Sequence, residues 1–135
     1  MTTGAADVVR TLHARLLGER DEGVVDELFA PDFVSHNMPP ELPQGVEGVK
    51  AFFAMFRDAL PDVEVAIDEV VADGDRAAVA TTTTGTHTGE LMGMAPTGRR
   101  VSVTGIDMIR VDASGRIAEH RGLTDTVGLL RQLTG

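Results

Sequence analysis

GTHTGELMGMAPTGRRVSVTGID, residues Gly85–Asp107, reads as the end of one strand, a long glycine-rich connection and the start of the next strand. Thr81–Thr84 lead into it, a β-branched block of the kind that favours strands. Beyond the connection, Val101, Val103, Gly105 and Asp107 alternate with Ser102, Thr104 and Ile106. That two-residue period belongs to a strand with one buried face. Gly93, Pro96 and Gly98 supply the turn chemistry between the strands. The stretch also carries one of four histidines, His87, and sets an acid, Asp107, among apolar residues. A pocket walled by this stretch is the first expectation.

Downstream, the strand Arg99–Val111 is followed by a turn at Asp112–Gly115 and a last strand, Arg116–Thr124. Asp125 is placed to cap a final short helix, TVGLLRQL. Upstream, Val63, Val65 and Ile67 alternate with Glu64, Ala66 and Asp68, and the alternation slips at Val70–Val71, which predicts a bulge. Asp73-Gly74-Asp75 turns that strand into the next, Arg76 to about His87. Before the strands the period is helical. Val46, Val49, Phe52, Phe53, Phe56 and Leu60 form one stripe, stopped by Pro61. Val24, Val25, Leu28 and Phe29 predict a short helix ended by Pro31, and Ala5, Val8, Val9, Leu12 and Leu16 an amphipathic helix over residues 4–18. Between the second and third helices lie a short extended piece, DFVSH, and a proline-rich loop, NMPPELPQG. Helices first and an antiparallel run of strands after them predict one α+β domain over residues 1–135.

Composition removes several function classes. A net charge of −9 opposes nucleic-acid binding, and the absence of Trp and Tyr removes stacking platforms. No apolar run reaches the roughly 18–20 residues of a membrane span. The N-terminus lacks the charged-then-apolar order of a signal peptide, so cytoplasm is the expected location. Without cysteine there is no disulfide or thiolate. Lys50 is the only lysine among twelve basic residues, which confines Schiff-base chemistry to that position. The scattered histidines form no HxxxH or HExxH, and no Asp-rich loop occurs, so no metal site is expected. No GxxxxGK[ST] or GxGxxG precedes a helix, so no phosphate cradle or cofactor is expected either. Ser35, Ser102 and Ser114 sit in ordinary strand or turn contexts with no GxSxG, which argues against a Ser–His–Asp triad.

GTHTGELMGMAPTGRRVSVTGIDMIR, followed by GRIAEHRGLTDTVGLLRQLTG, resembles the SnoaL-like polyketide cyclases of the nuclear-transport-factor-2-like superfamily. FAPDFVSHN, GVEGVKAFFAMFRDALPD and the GDR turn match in the same order, so the resemblance covers nearly the whole chain. It implies a cone-shaped, curved antiparallel or mixed sheet packed against three N-terminal helices around a pocket, and a homodimer. The activity it implies is cofactor-free aldol closure of a polyketide ester. Related proteins on this scaffold isomerise ketosteroids, hydrate epoxides, assist hydroxylation or only bind ligands. In the cyclases the acid/base group is an aspartate on the last strand, two positions after a His or Glu. Here His120 holds the earlier position and Gly122 the aspartate position, the sequence reading HRG.

Strand parity sorts the remaining candidates. His120 and Gly122 share a face with Ala118, Asp107 shares one with Val101, Val103, Gly105 and Ile109, and His87 shares one with Val79, Thr81 and Thr83. Enolisation needs a base and a donor for the developing oxyanion. The roles assigned are His120 as base, Asp107 as orienting or proton-sharing carboxylate, and His87 or His36 as oxyanion donor. His87, beside a glycine-rich turn, serves equally well to bond a loop carbonyl. His36, Phe52, Phe56, Met92, Met108 and Gly122 are the expected substrate contacts, for a bulky apolar ligand of polyketide or steroid type. His13 reads as a helix-edge residue. The rival reading is a non-catalytic binding protein that has lost the acid at Gly122. Epoxide hydration, with its Asp–Arg–Asp set, ranks behind both. Ser102, Thr104, Ile106 and Met108 lie on the opposite face of their strand, where a second subunit would pack.

Overall fold

The computed structural model describes residues 4–135. Three helices precede most of the sheet: α1 (Ala5–His13), α2 (Gly23–Leu28) and α3 (Gly45–Ala59). The strands are β1 (Phe29–Ser35), β2 (Glu64–Asp73), β3 (Arg76–Thr86), β4 (Arg100–Val111) and β5 (Ile117–Thr124), and α4 (Thr126–Thr134) closes the chain. The five strands form one curved sheet in the order β1-β5-β4-β3-β2. β2 to β5 are an antiparallel meander, and β1 joins it as an edge strand parallel to β5. This is the α+β layering expected: helices on one face of a mixed sheet.

Val8, Val9 and Leu12 of α1, Val24 and Val25 of α2, and Val49 of α3 pack with Val79, Ile109, Val111 and Ile117 of the sheet. A second cluster joins Leu60, Val63, Leu91, Val101 and Val103 to Leu129 and Leu133 of α4. Each fully buried aliphatic side chain in these clusters contributes about 1.5–3 kcal/mol. Among the described residues no helix is long and apolar enough to cross a membrane.

The first helical pattern runs on to Gly18, but regular α-helix stops at His13 and a π-helical turn covers Ala14–Gly18. Glu19 N–H reaches back to the Ala14 carbonyl at 3.0 Å, and Arg15 pairs with Asp21 and Glu27, both at 2.5 Å. The second helix ends at Leu28, before Pro31, because Phe29 is already extended. Pro31 lies within β1, where its missing N–H is tolerated: β1 is an edge strand, and its register breaks between Phe29 and Val34. The bulge in β2 falls at Asp68, between the pairs Ile67–Thr81 and Glu69–Ala80, earlier than the expected Val70–Val71. The Thr82 hydroxyl holds the Asp68 carboxylate there, at 2.5 Å.

Candidate functional site

The helices and the inner sheet face enclose a cavity of about 460 Å³, within the range of small-molecule sites. Alternation along the strands decides what lines it. β3 contributes Val79, Thr81 and Thr83, β4 contributes Val103, Gly105, Asp107 and Ile109, and β5 contributes His120, Gly122 and Thr124. Phe52 and Phe56 of α3, with ring centroids 5.0 Å apart, form the opposite wall. Met92 comes from the glycine-rich connection and Leu129 from α4. At the far end of β5 parity breaks: Arg110 pairs with Glu119 but Val111 with Ile117. Ala118 is the extra residue, and Ile117, fully buried, takes the inner position expected of it.

Ser35, His120 and Asp107 form one hydrogen-bonded row in this cavity. Asp107 and Gly122 are cross-strand partners, so their inward directions converge. Asp107 Oδ1 lies 2.8 Å from His120 Nε2, and His120 Nδ1 lies 3.2 Å from the Ser35 hydroxyl. A Cβ placed on Gly122 would meet Asp107 Oδ1 at 2.2 Å and the His120 ring at 3.0 Å. The Asp107 carboxylate thus occupies the space that a side chain at position 122 would take. Its second oxygen makes no hydrogen bond to the protein among the described residues and is left for the cavity. The N–H of Gly122 donates to Asn37 Oδ1 at 2.8 Å. That bond fixes the carboxamide so that its NH2 group is the free end.

Of the residues singled out from sequence, His120, Asp107, Gly122, Phe52, Phe56 and Met92 meet in this cavity. His36, His87 and Met108 do not. His36 Nε2 bonds Glu119 at 2.6 Å on the outer side of β5, the side opposite His120. Hydrogen bonds from His36 and then from Arg110 hold the Glu119 carboxyl down at about 2. Met108 lies on the outer face of β4 at 44% exposure, since Asp107 inward forces its neighbour outward. His87 is fully buried under the connection. Its Nδ1 accepts from the Thr97 N–H at 3.2 Å and meets the Thr97 hydroxyl at 3.0 Å, which ties the connection together from inside. A loop partner was the alternative reading for His87, and the partner is Thr97 rather than a carbonyl.

Ser35, read from sequence as an ordinary strand serine with no triad around it, lies against His120 in the cavity, and Asn37 escaped sequence reasoning. The available signal was the period of two in Phe33, Ser35 and Asn37, all of which line the cavity, while Val34 between them is 51% exposed. His13 also lines the cavity, its Nδ1 donating to the Val9 carbonyl at 2.9 Å. A second cleft, about 390 Å³, lies between α2 and α3. Its charged residues are occupied in the ion pairs Arg57–Glu22 and Lys50–Asp26, so it offers no comparable set of free groups. Among the described residues no group of His, Asp and Glu is arranged to hold a metal ion.

Comparison with known proteins agrees with this architecture. A family description reading SnoaL-like polyketide cyclase matches residues 7–133. Nogalonic acid methyl ester cyclase of Streptomyces nogalater is 35% identical over 117 residues, covering 81% of this chain and 82% of the relative. Aklanonic acid methyl ester cyclase of Streptomyces peucetius is 34% identical over 140 residues, covering 98% and 92%. Among solved structures, TsrD from Streptomyces laurentii superposes with a TM-score of 0.85 at 29% identity, covering 96% of this chain and 93% of that one.

Proposed function

The chain belongs to the SnoaL-like polyketide cyclase family, and on that premise we propose that it closes a ring in a polyketide methyl ester by cofactor-free aldol chemistry. One observation carries the reading: the Asp107 carboxylate fills the space left by Gly122, against His120 and facing an apolar cavity. The resemblance places the family's acid at position 122. In this chain a carboxylate reaches the same place from the neighbouring strand.

The geometry also redistributes the roles. Both nitrogens of His120 are engaged, one by Asp107 and one by Ser35. Asp107, with a free oxygen, is therefore the base, and His120 steadies its charge and direction. Asp107 removes a proton from the carbon beside a substrate carbonyl, and the enolate oxygen that develops takes a hydrogen bond from the Asn37 NH2 group. The enolate carbon attacks a second carbonyl of the same molecule. The resulting alkoxide recovers the proton from Asp107, so the enzyme ends unchanged and the product is an isomer of the substrate.

The test is to incubate the protein with aklanonic or nogalonic acid methyl ester and follow the ring-closed product by chromatography and mass. Closure above the buffer rate, without mass change, supports the proposal. Tight binding without closure supports the non-catalytic reading instead. The proposal includes a homodimer built on the outer sheet face, where the cross-strand partners Ile106 and Leu123 are 61% and 78% exposed.

A further inference from the structure

The geometry points to a second activity in the same cavity: Ser35, His120 and Asp107 form an acyl-transfer triad able to hydrolyse a small apolar ester. The sequence lacks the strand–turn–helix motif that usually presents a nucleophilic serine. The sheet assembles the set in another way. Ser35 and His120 are register partners of the parallel pair β1–β5, and the His36 N–H bonds the His120 carbonyl at 2.9 Å. Two paired strands therefore set the 3.2 Å separation of Ser35 Oγ and His120 Nδ1.

With Asp107 as a carboxylate accepting from Nε2–H at 2.8 Å, the imidazole proton stays on Nε2. The lone pair of Nδ1 then faces the serine hydroxyl. A nucleophile within reach of a base, and a base oriented by an acid, is the arrangement that activates serine. The two ring nitrogens have exchanged their usual places, and the chemistry permits this because protonation of either one makes the other the acceptor. All three residues line the cavity, so a bound ester carbonyl meets the hydroxyl directly. The free NH2 of Asn37, two residues beyond Ser35, is the available oxyanion donor.

The step balances without a co-reactant other than water. Ser35 Oγ bonds the carbonyl carbon while its proton passes to His120 Nδ1. The C–O bond to the alcohol breaks, and the departing oxygen takes that proton. Water then attacks the acyl-serine, its proton goes to Nδ1 and from there to Ser35, and the carboxylic acid leaves.

The inference shares Asp107 and His120 with the proposed ring closure but does not depend on it, and one set of measurements separates them. Wild-type protein is treated with a fluorophosphonate and peptide-mapped, and its hydrolysis of p-nitrophenyl butyrate is followed in parallel with ring closure. The expected result is one adduct, on Ser35 and not on Ser102 or Ser114. Hydrolysis should be lost in Ser35→Ala, and labelling of His120→Gln should slow by about 10²–10⁴-fold, the contribution of a general base. An unlabelled wild type, or hydrolysis that survives Ser35→Ala, overturns the inference. Ring closure without labelling overturns this inference alone, and labelling without ring closure overturns only the cyclase proposal.

Discussion

A methyl group on Gly122 would lie 2.2 Å from Asp107 Oδ1 and 3.0 Å from the His120 ring, so the smallest possible side chain there must displace the carboxylate. Alanine is accommodated by strand backbone, which separates this effect from a folding defect. Gly122→Ala is predicted to lower kcat for ring closure about 10²-fold, the cost of misplacing a reacting group by about 1 Å, with thermal stability within a few degrees of wild type. Turnover and a melting curve on the same sample check both halves. At this scale the sequence was legible where alternation is regular: Asp107, His120 and Gly122 face inward as their parity requires. The same parity puts His36 and Met108 outside, against the substrate contact expected of them, and His87 is buried to serve the loop. Ser35 ends β1 and Asn37 follows it in the loop, so the inward period of Phe33, Ser35 and Asn37 runs past the strand that the sequence marks out.

The helices and strands were legible for the same reason, since an apolar stripe with a period of 3.6 or 2 survives whatever the element packs against. What the pattern does not encode is where a ladder slips. The bulges at Asp68 and Ala118 depend on cross-strand pairing, and the π-helical turn at Ala14–Gly18 accompanies the pairing of Arg15 with acids on the segments that follow. The end of α4 was readable locally. Asp125 accepts from the Gly128 N–H at 2.9 Å, satisfying a donor that the first helical turn leaves free. Asp125→Ala is predicted to destabilise the fold by about 1 kcal/mol. A lower midpoint in urea with an unchanged slope would show this. Since Thr126 and Leu129 of α4 line the cavity, affinity for an apolar ligand should weaken in the same variant.

The whole molecule buries one face of its sheet under helices and leaves the other face open. On that open face the row Glu69–Ala80–Ile106–Leu123 runs beside Val71–Ala78–Met108–Arg121, so apolar residues hold the middle strands, with Glu69 and Arg121 at the row ends and Arg76, Arg110 and Glu119 along one border. An apolar centre with a charged border is the anatomy of a subunit interface. Sedimentation at micromolar concentration is predicted to show a dimer for wild type and a monomer for Ile106→Glu, with the cavity chemistry lying on the far side of the sheet from the change. A wild-type monomer would remove the dimer. In the proposed mechanism the working carboxylate stands on β4, at Asp107, beside the place on β5 held by Gly122. That role is tested most directly by the kcat of Asp107→Asn for closure of the polyketide methyl ester. The substitution keeps the shape of the side chain and removes its basicity, so kcat is expected to fall about 10²–10⁴-fold. A variant that closes the ring at the wild-type rate would contradict it.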